Sequence, residues 1–110
     1  MKANELRIGN LIQDNNKEWI VSAQLIYSVV EGNGYLAGFK PIPLTEEWLV
    51  KFGFDKSNEN NYLKNEFRIW IEKHNTYFYI IGSYMVICNN VHQLQNLYFA
   101  LTNTELTINE

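Results

Sequence analysis

The sequence predicts an α+β domain built on antiparallel sheet, and three observations carry that expectation. Two segments, about 45–52 and 91–102, have the start and stop signals of short helices. The remainder is rich in Ile, Val and aromatic residues, broken by polar turn clusters. The order is strands, helix, meander, helix, rather than the strand–helix alternation of a parallel fold. With 46% hydrophobic and 15% aromatic content, a chain of 110 residues can enclose one core, so residues 1–110 are expected to form a single domain.

At the N-terminus, Leu6–Gln13 and Trp19–Val30 read as strands separated by Asp14-Asn15-Asn16-Lys17. Glu31-Gly32-Asn33-Gly34 reads as a turn into a third strand near Tyr35–Phe39. Arg7-Ile8-Gly9-Asn10-Leu11-Ile12, a polar loop, then Trp19-Ile20-Val21 resembles the opening of a small SH3-like barrel. Asn makes up fifteen of the 110 residues and gathers in pairs, which reads as turns because Asn tolerates the left-handed conformation.

The first helix follows Ile42-Pro43-Leu44. Thr45 is its N-cap, Glu46 and Glu47 suit the positive end of the helix dipole, and Leu44 and Leu49 form a hydrophobic staple. Gly53 suits the left-handed position after the helix, with Phe54 closing back on Leu49. A meander over about 54–88 comes next. Phe67, Ile69 and Ile71 alternate with Arg68, Trp70 and Glu72, so the two sets face opposite ways. Lys73 to Asn75 turns into Thr76–Ile81, and Gly82-Ser83 is a two-residue hairpin loop leading to Tyr84–Cys88. In the second helix Val91, Leu94, Leu97, Tyr98 and Leu101 form an apolar stripe, and Asn103 sits at the C-cap. The opposite face carries His92, Gln95, Asn96 and Phe99. Core packing alone does not account for an aromatic residue on that polar face.

Nine Lys and Arg against twelve Asp and Glu give a net charge of −3, too mild for a polyanion mimic and of the wrong sign for a general phosphate-backbone binder. One Cys, Cys88, excludes an internal disulfide and a Cys-rich zinc site. His74 lies in a predicted hairpin turn and His92 on the second helix, where no carboxylate stands at ligand spacing, so surface histidines are the simpler reading and no cofactor or metal is expected. The nucleotide-binding, zinc-protease and hydrolase motifs are absent, and no catalytic activity is expected. The opening segment has no apolar stretch of signal-peptide type, and no apolar run approaches the ~18 residues of a membrane span, which predicts a cytoplasmic protein without membrane contact.

Two binding readings remain. A strip of Lys64, Arg68, Trp70 and Lys73 would suit a small regulator of single-stranded nucleic acid, although residues 51–73 net only +1 and no Lys or Arg follows Lys73. A protein-interaction surface would use Arg68 and Trp70 on the sheet, with Tyr77 and Tyr79 of the next strand adding aromatic area. His92, Asn96 and Phe99 would add a second row along one helix face.

Three stretches carry a further resemblance: Glu5-Leu6-Arg7-Ile8-Gly9-Asn10, then Pro41-Ile42-Pro43-Leu44-Thr45-Glu46-Glu47-Trp48-Leu49-Val50-Lys51-Phe52-Gly53-Phe54, then Val91-His92-Gln93-Leu94-Gln95-Asn96-Leu97-Tyr98-Phe99-Ala100-Leu101-Thr102. In this order they resemble a family of small phage and prophage proteins of Bacteroidota, which usually has Gly where Asn103 stands. The set that this chain looks like includes a prophage-encoded anti-CRISPR acting on RNA-guided, RNA-cleaving type VI-B effectors. The resemblance implies a non-enzymatic inhibitor whose partner is a host defence protein, an effector nuclease with or without its guide RNA. It brings no catalytic residues.

Overall fold

The computed structural model describes residues 5–31, 39–72, 76–81 and 83–108. Its elements are β1 (Leu11–Asp14), β2 (Lys17–Ile20), α1 (Ala23–Glu31), β3 (Phe39–Pro41), α2 (Glu46–Lys51), β4 (Asp55–Asn58), β5 (Asn61–Lys64), β6 (Phe67–Glu72), β7 (Thr76–Ile81), β8 (Tyr84–Ile87) and α3 (Val91–Thr102). The architecture is α+β with two antiparallel sheets. One has three strands in the order β2-β1-β3, and the other is a five-stranded meander, β4-β5-β6-β7-β8.

Among the described residues the N-terminal sheet stays open, so the SH3-like barrel expected there is not formed. The segment after Trp19 is also corrected. Only Lys17–Ile20 is strand, and Ala23–Glu31 is helical rather than extended. Ser22 caps this helix, its hydroxyl accepting from the N–H of Leu25 at 3.1 Å. Leu25 and Ile26 then pack against a small core of Leu6, Ile12 and Val21, joined by Phe39. Burial on that face outweighs the strand propensity of the β-branched residues. Of the expected third strand only Phe39 is described, and it begins β3, which extends to Pro41; the expected turn after Glu31 lies outside the described residues.

The first predicted helix forms as expected. Thr45 Oγ1 accepts from Trp48 N–H at 3.3 Å. At the far end Gly53 N–H donates to Val50 O and Phe54 N–H to Leu49 O, both at 3.0 Å. This pairing is a Schellman motif, and it needs the positive φ of Gly53, +89°. Lys64 Nζ donates to Phe52 O at 2.6 Å, placing a cation on the negative end of the helix.

The larger core lies between α2, α3 and one face of the five-stranded sheet. It includes Leu49, Phe52, Phe54, Phe67, Ile69, Leu94 and Tyr98. Phe67 stacks on Tyr79 at 4.5 Å between centroids and meets Tyr98 at 4.9 Å. β1 divides the two cores by simple alternation, with Leu11 in the larger and Ile12 in the smaller. The turns are made largely by Asn. Every non-glycine residue with positive φ among those described is Asn: Asn15, Asn16, Asn65 and Asn103.

Candidate interaction surface

Register decides which side chains share a face, because residues directly opposite in an antiparallel sheet point the same way. Phe67 pairs with Lys64, Ile69 with Tyr62 and Ile71 with Tyr77, and these line the core face. The other face carries a row of Asn61, Trp70, Phe78 and Ile87, read straight across β5 to β8. A neighbouring row holds Leu63 with Arg68 and Ile80 with Met85.

Both helices of the larger core, α2 and α3, lie on the core side; on the second face Asn61 and Phe78 are buried, and exposure is concentrated at its β7–β8 end. Ile80 is 45% exposed, and Met85 and Ile87 are each 54% exposed. Arg68 and Trp70 are half-buried, with the Arg68 guanidinium 5.6 Å from the Trp70 ring centroid and its Nη1 donating to Asn61 Oδ1 at 3.4 Å. Asn61 is itself buried and held by Asn58, so Arg68 is braced from below. A shallow groove of about 660 Å³ lies beside the Trp70 row, lined by Asn60, Trp70, Ile71, Glu72 and Phe78. Between Thr76 and Ile87 there is no charged residue, so the half of this face built by β7 and β8 is apolar and neutral.

Several expected members of the surface prove to be elsewhere. Tyr77 is 3% exposed and, like Tyr79, faces the core; the aromatic of β7 on the second face is Phe78, which is itself buried at 6% exposure. The alternation of Thr76–Ile81 could not reveal this, because Phe78 and Ile80 on one side are as apolar as Tyr77, Tyr79 and Ile81 on the other. Lys64 is on the core side capping α2, and Lys73 and His74 lie outside the described residues. Among the described residues Arg68 is the one cation of that strip on this face.

The helix row fares differently from the sheet row. His92, expected as a surface residue, is 2% exposed, and its Nδ1 is a buried side-chain nitrogen with no hydrogen bond. Burial lowers its pKa, and the charge of Glu5 partly opposes that. Asn96 accepts from Arg7 Nε at 3.0 Å and from Asn10 Nδ2 at 2.9 Å, and its own amide donates to Glu5 O at 3.0 Å. Phe99 is half-buried beneath the guanidinium of Arg7. Gln95, also on this face, accepts from Leu11 N–H at 2.8 Å and donates to Gly9 O at 3.2 Å. The polar face of α3 is therefore an internal seam that binds the N-terminal segment to the last helix. Arg7 closes it with an ion pair to Glu105 at 2.7 Å.

No family model, curated protein or solved structure matches the chain.

Three motifs distant in sequence meet at α3. Residues 5–10 dock on its polar face. The segment before α2 joins its start, with Leu44 N–H donating to Asn89 O and Val91 N–H to Ile42 O, both at 2.8 Å. The Gln93 side chain then caps the helix by accepting from the backbone of Asn89 and Asn90.

Cys88 is 1% exposed, and burial pushes its thiol up to about 12, which keeps it protonated and unreactive at neutral pH. Among the described residues no three His, Cys, Asp or Glu side chains come together as metal ligands. No helix is long and apolar enough to cross a membrane.

Proposed function

We propose that this chain is a non-enzymatic, phage- or prophage-encoded interaction protein that inhibits a host antiviral system, with an RNA-guided, RNA-cleaving type VI-B effector nuclease as its partner. The observation that supports this reading best is the second face of the five-stranded sheet. Half-buried Arg68 and Trp70 stand there beside the exposed Ile80, Met85 and Ile87, with the buried Phe78 between Trp70 and Ile87. A half-buried Trp next to an Arg held by a buried Asn is a pre-organised anchor of the kind that dominates protein interfaces. The neutral β7–β8 half suits an apolar protein surface better than a phosphate backbone, and Lys64 is engaged inside the fold.

The test is target-RNA cleavage by the purified effector and its guide RNA, with and without this protein. Cleavage should be suppressed, and Trp70→Ala should weaken suppression about thirtyfold, the size of a 2 kcal/mol anchor. The variant should keep the wild-type circular dichroism spectrum while melting somewhat lower, because half-buried Trp70 lies directly across from the buried Phe78. An unaffected effector would remove the proposal. Salt-sensitive binding to free single-stranded RNA, without binding to protein, would favour a nucleic-acid regulator instead.

A further inference from the structure

The two edges of the five-stranded sheet are built differently. β4 presents Asp55-Lys56-Ser57-Asn58, all exposed, and its pairing with β5 is broken by a register shift between Lys56 and Asn58. Charge and a bulge of this kind protect an edge against further strand pairing. β8 presents Tyr84-Met85-Val86-Ile87, with no charge, no proline and an unbroken register against β7. Among the described residues it is paired on one side only.

We propose that β8 is the interface of a symmetric dimer, in which a second copy of this chain adds its own β8 antiparallel to form a ten-stranded sheet. The backbone sets the register. Cys88 N–H donates to Tyr77 O, so the polar backbone groups of Cys88, and by alternation of Val86 and Tyr84, point toward β7. Those of Met85 and Ile87 point away, leaving two donors and two acceptors on the open edge. With Val86 on the twofold axis, Met85 pairs with the partner's Ile87, and Ile87 pairs with the partner's Met85. All four outward groups on each chain are then satisfied.

The side chains fit the same register. Met85 and Ile87 are both on the second face, so the row through Ile80 and Met85 continues into the partner's Ile87 and the partner's Phe78. The apolar area of Ile80, Met85 and Ile87, each about half exposed in one chain, is joined across the axis. Identical strands would repel if charged, and the absence of any charge from Thr76 to Ile87 favours a second copy over a charged partner. Trp70 is on β6, two strands or about 10 Å inward, and stays open in the dimer.

Sedimentation of the full chain across a concentration series should give a mass rising from 13.0 kDa toward twice that value. Ile87→Lys should hold it at the monomer with an unchanged circular dichroism spectrum. The register is tested by cysteine placement in a Cys88→Ser background. Val86→Cys should form a disulfide-linked dimer on treatment with diamide, because residues facing each other in a non-hydrogen-bonded pair lie about 4.5 Å apart at Cα. Tyr84→Cys should not, since the two copies of that residue lie about 13 Å apart at four residues' separation along the strands. A monomeric mass at every concentration overturns the proposal, as does equal cross-linking of the two variants. A monomer that pairs β8 only with an unrelated protein strand overturns it as well.

Discussion

The guanidinium of Arg7 lies over the ring of Phe99, 4.3 Å from its centroid. The contact explains an aromatic residue on the polar face of α3: Phe99 is a platform for a cation that arrives from the other end of the chain. The same guanidinium reaches Asn96 Oδ1, Gln95 O and Glu105 Oε1. Its planar fork can serve all four contacts at once, which an ammonium cannot.

Replacing Arg7 by Ala is expected to cost about 2–3 kcal/mol, on the scale of hydrogen bonds to a charged group. The ion pair to Glu105 is partly exposed and supplies little of this. Arg7→Lys should recover less than half of the loss. Urea denaturation of the three proteins measures both values, and full rescue by Lys would mean that charge alone matters.

Gln95→Leu keeps the volume but removes the acceptor of Leu11 N–H and the donor to Gly9 O. Leaving the buried Leu11 N–H and the part-buried Gly9 carbonyl unpaired is expected to cost about 1–3 kcal/mol. Amide exchange at Leu11 should speed up more than exchange within β6. Uniform acceleration across both sheets would argue against a local seam.

Gly53→Ala forces a side chain onto φ +89° at the end of α2. Stability should fall by at least about 1 kcal/mol, with loss of the Phe54-to-Leu49 closure. Thr45→Ala at the other end should cost about 1 kcal/mol through the missing cap. Thermal melts of the single and double variants check both.

Acid should destabilise the protein through His92. Burial is the larger influence and lowers its pKa below the ordinary 6.5, against an opposing effect of Glu5. The unfolded chain therefore takes up the proton first. The stabilisation is complete above pH 6.5 and is lost as pH falls from there through the folded-state value. The slope is at most about 1.4 kcal/mol per pH unit. Melting temperatures on either side of pH 6.5 should diverge less in His92→Gln than in wild type. An equal divergence would place the acid sensitivity elsewhere.

Cys88 acts at the other end of the scale. Its raised value means that stability is complete below 9.0 and falls as pH rises toward about 12. Cys88→Ala should flatten that alkaline loss, although the buried tyrosines Tyr62 and Tyr77, whose pKa values are also raised by burial, leave part of it in place. Denaturant midpoints measured across this range would reveal no difference if the thiol were solvated.

What was legible in the sequence was local. The ends of α2 are written in Thr45, Gly53 and Phe54, and the end of α3 in Asn103, because caps involve residues only a few positions apart. The period of Phe67–Glu72 likewise separated Arg68 and Trp70 from the core face, since strand alternation is set by the backbone. The tertiary structure alone decided what covers each face. Ala23–Glu31 carries strand-forming residues, yet it winds into a helix because Ser22 caps it and Leu25 and Ile26 find a second core. His92, Asn96 and Phe99 have a polar-face pattern that suits solvent or a partner equally well. They are turned inward because Arg7, Asn10 and Glu5 arrive from the far end of the chain to meet them. A side chain's spacing states which neighbours it shares a face with, but exposure depends on segments remote in sequence, and that information exists only once the chain has folded.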